Sequence, residues 1–574
     1  MQWLHAPGRK STLITLALTL GMVGPSSAAV FTVGVGTGCT HADLSSALIT
    51  AANLAGPDEI RLLANTNHQG QFIILTDGLS LRGGFASCTA ASPTGLTTLL
   101  GDNSNRAVFL AASGGVFFER LNLTGGNVTG NGGGLYVQGD QAINLVNVSI
   151  FGNTATGRGG NLYVNAFPGF DLAVSGSSLI SAGDAVDGGG IACAGDGRIR
   201  LFDGTFVANN NATGNGGGAY LSTSCNLELY AGGGAGGVLT NTAGNSGGGV
   251  YIESGAELNT GFSTSDLSLI SGNQAGNGGG GVFVTDSGSV MRAFFTRITG
   301  NTAGGAGGAF FADNASIVAV GHPSGGSNPC FDEVRCARLD HNTAAVGGAL
   351  YSDDGAQVTV HGTHIEANVS TLFNPVASIR GGSFLFAHST VIAGNNGQTL
   401  FTVSDAASSL TLANVTLANN INSGPGVISV ANATVGPIRI WSSIFDQLGP
   451  LFVLGYPATI APHIDCVLTS QASLLAGIPP ASVQRAIAVN NPRFSNPAAG
   501  NYMLSSFSPA IDFCDTTVWS GGERDVEWNL RDIDDPGHPN PMGGFRDLGA
   551  DEYTVLFADG FESGNTNAWT QAQP

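Results

Sequence analysis

The chain has 574 residues, of which 42% are hydrophobic and only 10% charged, with 88 glycines and a formal net charge of −20. That balance excludes a coiled coil and charge-driven disorder, and its shortage of Lys and Arg speaks against a nucleic-acid partner or an anionic membrane surface. Low charge with abundant Gly, Asn, Ser and Thr suits many short strands joined by tight turns.

Residues 1–29 read as a secretory signal. Arg9 and Lys10 precede an apolar run from Leu13 to Val23, and small residues follow at Ser26, Ser27, Ala28 and Ala29. The run is too short for a bilayer core of about 30 Å, and no later stretch is long and apolar enough to span one. Cleavage near Ala29 is expected to release an exported chain with a balance of −22 and no lysine. The cleavage point carries no cysteine, so no lipid anchor is expected there. Eight cysteines in an exported chain read as disulfides. Proximity pairs Cys39 with Cys88, Cys330 with Cys336 and Cys466 with Cys514, which leaves Cys193 with Cys225. The cysteines are scattered and form no C-x-x-C, which argues against zinc.

Residues 30–114 are expected to form an N-terminal cap and the first coils. In HADLSSALITAANL (41–54), Leu44, Ala47, Leu48 and Ala51 make one apolar helix face. Asp58 to Leu63 and Gln71 to Leu75 read as strands. A short amphipathic helix ahead of a strand array suits a cap over the open apolar end of a solenoid.

From 115 to 470 the chain repeats itself. VLTNTAGNSGGGVYIES, LISGNQAGNGGGGVFVT and RITGNTAGGAGGAFFAD each carry an aliphatic residue, two spacers, Asn, a small-residue turn, a glycine pair and a short apolar run. The residue three after the aliphatic falls at Gly126, Asn153, Gly183, Asn210, Asn241, Asn273, Asn301, Asn342, Asn368, Asn395, Asn420 and Gln447, a period near thirty. Such a period means a solenoid or an array. The runs are short, β-branched and rich in glycine, which excludes helical repeats; neither leucine-rich frames nor propeller signatures recur. The expected fold is all-β: a right-handed parallel β-helix of about twelve or more coils with an N-terminal helix cap, its repeat body roughly 60 Å long. Asn is expected to tolerate left-handed turn angles and to bond to the next Asn in the stack.

Alternation sets the strand faces. In GLYVQ, NLYVN, GVYIE and GVFVT, the aliphatics Leu135/Val137, Leu162/Val164, Val250/Ile252 and Val282/Val284 alternate with aromatics. The aromatics share their face with polar residues two further on. Aliphatics are therefore expected inside, and Tyr136, Tyr163, Tyr220, Tyr251, Phe283, Phe311 and Tyr351 outside as a ladder with a gap at Ala192. A long interval at Gly321 to Cys336 predicts a loop pinned by Cys330 and Cys336. Prolines end the repeat near 470; 471–553 reads as a C-terminal cap region and 554–574 as a polar tail.

The aliphatic-x-x-Asn and Gly-Gly-aliphatic-aromatic unit of about residues 115–450 resembles the repeats of the bacterial polymorphic outer-membrane protein family. NPRF…NYML…SPAID…RDLGADEY is similar to the C-terminal region of many bacterial β-helix proteins of the choice-of-anchor type, and DGFESGNTNAW looks like a tail shared by secreted bacterial proteins. The resemblance implies secretion or surface exposure with adhesive roles. Self-exporting members end in a translocator barrel. No strand-rich segment follows Tyr553, so export by the signal peptide with loose surface association is expected.

Four sets of residues are candidates for chemistry. The ring ladder is either a sugar-binding platform or a stack that stabilises adjacent rungs. Arg297, Arg338 and His364, with Asp340 and Glu366 two residues on from the last two, are either acid–base groups for β-elimination or exposed ion pairs. Asp353, Asp354 and His361 invite comparison with the grouped aspartates of β-helix glycosidases, but the supporting Asn-Thr-Asp and Arg-Ile-Lys elements are missing. Asp532, Asp534 and Asp535 resemble part of a calcium loop without its spaced ligands and terminal Glu; calcium is the one cofactor considered. The sequence favours a non-enzymatic, adhesin-like or glycan-binding β-helix, against the alternative of a polysaccharide lyase or glycoside hydrolase working along a groove.

Overall fold

The computed structural model describes residues 28–554, apart from 113, 231–235, 263–266, 323–336, 372–373, 425, 431–435, 455–461 and 516–523. Residues 1–27 of the predicted signal 1–29, most of the predicted insertion with the Cys330–Cys336 pairing, and nearly all of the predicted polar tail lie outside the described residues.

The chain winds into an all-parallel β-solenoid of about 14 turns. One coil shows the plan. β1 (Val250–Ile252) and β2 (Glu257–Thr260) are followed by β3 (Ser268–Ser271) and a short β4 (Gln274–Ala275). Each pairs in parallel with its counterpart one coil on, so Val250 meets Val282 and Ser271 meets Thr299. The fourth strands form an eleven-stranded sheet of their own. Among the described residues, one antiparallel pair of strands joins Phe494–Asn496 to Asn501–Leu504.

Alternation decides what goes inside. Leu135, Val137, Leu162, Val164, Val250, Ile252, Val282 and Val284 are all fully buried in one core running the length of the body. At the N-terminal end, α1 (Leu44–Ala52) turns Leu44, Ala47, Leu48 and Ala51 onto that core, with the Asp43 carboxylate accepting from the Ser46 amide as its N-cap. At the other end, Leu474 is buried against the same core. Cys39–Cys88, Cys193–Cys225 and Cys466–Cys514 are bonded.

The register asparagines stack inside the β3–β4 corner. The Asn241 amide nitrogen donates to Asn273 Oδ1 at 3.0 Å, Asn273 donates to Asn301 at 2.9 Å, and the chain continues through Asn342, Asn368 and Asn395 to Asn420. The left-handed turn lies one residue earlier than the sequence suggests. Positive φ falls at Asn209, Thr240, His341, Ala367 and Asn419, each just before a register Asn. The register residue itself continues into β4 while its amide bridges coils.

Of the expected cap region 471–553, Leu474 and its neighbours meet the end of the main core, while the described part of the segment 490–553 packs elsewhere. Phe494, Tyr502, Leu504, Ile511, Phe513, Val526 and Leu548 pack against Val391, Ala393, Ala418, Ile444 and Leu468 in a second core. It therefore covers one flank of the last coils, held there by Cys466–Cys514 and by the Ala550 amide donating to Thr416 Oγ1.

Candidate functional site

The aromatic ladder forms on the outward side of the β1 strands and gains Phe109 at its start, which stacks on Tyr136 with centroids 5.2 Å apart. The rings do not lie flat as a platform. Tyr251 stands 5.4 Å from Tyr220 and 5.2 Å from Phe283 with planes within 2° and 4°. Coplanar rings cannot come so close edge to edge, so these are offset stacks whose members cover one another's faces. Tyr163, Tyr220 and Tyr351 are only 8%, 3% and 7% exposed. Tyr251 thus presents little beyond its edge, which favours the reading of the ladder as a stack that stabilises adjacent rungs, whereas Phe311 meets Phe283 tilted and Tyr351 edge-on.

The ladder breaks at Ala192, which stands in register between Tyr163 and Tyr220. Arg158 takes the vacant rung. Its guanidinium lies 4.4 Å above the Tyr220 ring, donates to the Tyr220 hydroxyl at 3.0 Å and meets Asp187 at 3.4 Å. The Tyr220 hydroxyl in turn donates to Glu253. Burial, reinforced by Glu253, pushes the Tyr220 phenol far above its ordinary range, so it acts as a donor and not as a base.

Beside this break lies an open groove of about 360 Å³ lined by Asn131, Thr156, Gly157, Arg158, Tyr163, Val186 and Asp187. Three successive β4–β1 loops build it. Asn131 Oδ1 accepts from the Arg158 amide at 2.9 Å, and Asp187 Oδ1 accepts from the Asn215 amide at 2.9 Å. These bonds fix the polar arms. The result is a ring at the end of a stack, a guanidinium with further N–H groups to offer, and a carboxylate at its side. Such a mouth, of the size of small-ligand sites, can hold a sugar by its vicinal hydroxyls at Arg158 and Asp187, with the mostly buried Tyr163 as part of its wall. Sequence reading noticed the gap at Ala192 but not the groove, whose polar residues sit in loops without a diagnostic pattern.

The basic and acidic columns stack as expected: Arg297, Arg338 and His364 in one, Thr299, Asp340 and Glu366 in the other. Their groups are engaged with each other. Arg297 Nε donates to Asp340 at 3.0 Å, Arg338 Nη1 to Glu366 at 3.2 Å, and His364 Nδ1 lies 3.0 Å from Glu366. Burial opposes ionisation of Asp340, but its bonds to Arg297 outweigh this and hold the carboxyl below its ordinary value; Glu366 behaves likewise beside His364 and Arg338. His364 is covered by the flanking segment, facing a cavity of about 20 Å³ with Tyr502, Met503 and Asp551. Asp340 is itself buried, which corrects the expectation that the acidic column is exposed.

Asp353, Asp354 and His361 are not brought together. Asp353 pairs with Arg380 at 3.1 Å, Asp354 sits in the following turn with positive φ, and His361 stacks on His388 at 3.8 Å beneath Trp528. Asp532, Asp534 and Asp535 also diverge, to Arg546, Asn540 and His538 respectively. The carboxylates that do converge are Asp525, Glu527 and Asp551, with ligand atoms all within 4.8 Å of one another. They are the described group best placed to meet a cation, although Asp525 already accepts from Asn529 and Glu552, and Asp551 from the Leu504 amide.

No family model matches the chain, and no curated protein does. Among solved structures, pectate lyase Pel9A aligns over 92% of this chain and 98% of its own length, at 11% identity and a TM-score of 0.24. No helix among the described residues is long and apolar enough to cross a membrane.

Proposed function

We propose that the protein is a secreted, non-enzymatic β-solenoid that binds neutral glycans, with the groove beside Tyr163 as a point of recognition. The observation that carries this reading is the break in the ladder: where Ala192 replaces a ring, a stack ends and Arg158 and Asp187 flank an open mouth. The Arg158 donors and the Asp187 acceptor, set side by side at the groove, match the vicinal hydroxyls of a sugar. The net charge of −20 disfavours acidic polysaccharides over neutral ones. The disulfides fit an extracellular setting.

The alternative, a lyase or hydrolase, needs unengaged acid–base groups facing substrate, and the columns at Arg297–Glu366 are instead locked in ion pairs. A glycan array run beside an activity screen on neutral and acidic polysaccharides tests the choice. Binding to neutral glycans without turnover, weakened about tenfold or more by Asp187→Asn, is the expected result. Turnover abolished by Arg338→Ala would establish the enzyme instead.

A further inference from the structure

A second outward column runs along the ends of the β2 strands. Phe202 and Tyr230 lie two residues past Arg200 and Glu228, which are in register. His361 and His388 occupy the same place further along the body, two residues past Thr359 and Phe386. The two halves of the column meet different fates. In the later half the imidazoles stack and the chain's own Trp528 closes over them, its ring 4.6 Å from His322 and 5.3 Å from His361 and only 4% exposed. In the earlier half Phe202 stacks on Tyr230 at 5.0 Å and Tyr230 on Phe262 at 4.0 Å with planes 12° apart. The Arg200 guanidinium lies over Phe202 at 5.4 Å and closes that end. Among the described residues, Phe262 ends the stack, with 45% of its surface exposed.

Beside this stack the β2 strands present a charge-balanced surface. Arg292 Nη1 donates to Glu257 at 3.0 Å, Arg200 pairs with Asp171, and the Tyr230 hydroxyl donates to Glu228 at 2.9 Å. Asn259 donates to Asn226 at 2.9 Å, linking adjacent coils. Arg198 also meets Asp171, at 3.4 Å, so three arginines balance three carboxylates, of which only Glu228 is buried; on a chain carrying −20 overall, such a face suits a ligand with hydroxyls and no net charge. The later half shows in cis what completes such a column: a flat ring laid against it.

We infer that the Phe202–Tyr230–Phe262 stack, with the polar β2 face beside it, is a second binding site for a neutral saccharide, in which a sugar ring seats against Phe262. The inference rests on the glycan reading above for the class of ligand, but on different residues and a different face. It is tested by titrating the whole protein with the neutral oligosaccharide that binds best on an array, comparing wild type, Phe262→Ala, Phe262→Trp and Tyr163→Ala. Expected is the loss of one bound oligosaccharide per chain in Phe262→Ala, its retention in Phe262→Trp, and an unchanged thermal midpoint, since Phe262 is exposed. Stoichiometry and affinity unchanged in Phe262→Ala would overturn the site while leaving the Tyr163 groove standing. Binding lost in Phe262→Ala but untouched in Tyr163→Ala would uphold this site and overturn the groove. Capture of an aromatic-rich peptide at Phe262 with no saccharide bound there would assign the surface to a protein partner and overturn the saccharide reading.

Discussion

Each interior register amide makes four hydrogen bonds, and these fix where one coil sits on the next. Asn273 Nδ2 donates to Asn301 Oδ1 at 2.9 Å and to the Val238 carbonyl at 3.0 Å, while its Oδ1 accepts from both nitrogens of Asn241 at 3.0 Å. All these groups are buried, so removing one amide strands several partners without water. Asn273→Ala should therefore destabilise the protein by about 3 kcal/mol, read as a fall in urea midpoint; a change within error would mean that the ladder is decorative. The stack itself was legible in the sequence because Asn recurs at a fixed place. Its repair at Gly183 was not. There Asn161, at the position where neighbouring coils carry Gly190 and Gly218, accepts from Asn153 and donates to Asn210, each at 2.9 Å. A Cβ on Gly183 would come 2.5 Å from the Asn161 amide nitrogen, so the glycine and the displaced asparagine require each other. Two departures from the repeat cancel in space, and a one-dimensional period cannot register that.

At the scale of elements, α1 and the β1 strands were readable because each shows its own period, 3.6 or 2, against a single core. The 490–553 segment has no period. Its position comes from contacts between Phe494, Tyr502 or Leu548 and residues a hundred or so positions earlier, which no local pattern announces. Its interior is rich in carboxylates. Burial, with Asp525 adding repulsion, raises Asp551 to about 8, and burial raises Glu552 to about 7 despite Arg531 beside it. On the body side, burial lowers His322 to about 3 and holds His388 well below its ordinary value. The two sets act in opposite senses. Carboxyls with raised folded values contribute stability that is full below their unfolded values of about 4 and is lost progressively as pH rises to about 7–8, whereas the histidines contribute stability that is lost as pH falls below their unfolded value of about 6.5. The thermal midpoint should thus be higher at mildly acidic pH than at about pH 8.5, and Asp551→Asn should flatten the alkaline fall. A midpoint that climbs steadily from pH 5 to about 8.5 would show that these carboxyls are ionised in the folded protein.

For the whole molecule, the solenoid settles what its surface can offer. Rungs about 4.8 Å apart bring aromatic side chains of successive coils into stacks, and stacking consumes ring faces. Where rings stack in this way, free ring faces are left at the ends and interruptions of the ladder. The composition made the class of molecule plain: few charges, many glycines and a period near thirty leave little else. The proposed place of recognition was only half legible. Ala192 could be seen as a missing ring, but that Arg158 would fill the rung and Asp187 frame the opening depends on three loops from three coils meeting in space. The candidate catalytic columns show the converse, since their register and their ion pairing were readable while their burial and the covering by Tyr502 were not.

The most direct test sets a ring at a stack end against a ring inside one. Neutral oligosaccharide is titrated calorimetrically into the wild type, Tyr163→Ala and Tyr251→Ala, each checked for an intact fold by circular dichroism. The account predicts that Tyr163→Ala loses about tenfold or more in affinity at the groove while Tyr251→Ala, whose ring faces are already covered by Tyr220 and Phe283, binds as the wild type does. Loss of binding in Tyr251→Ala with full binding in Tyr163→Ala would contradict it.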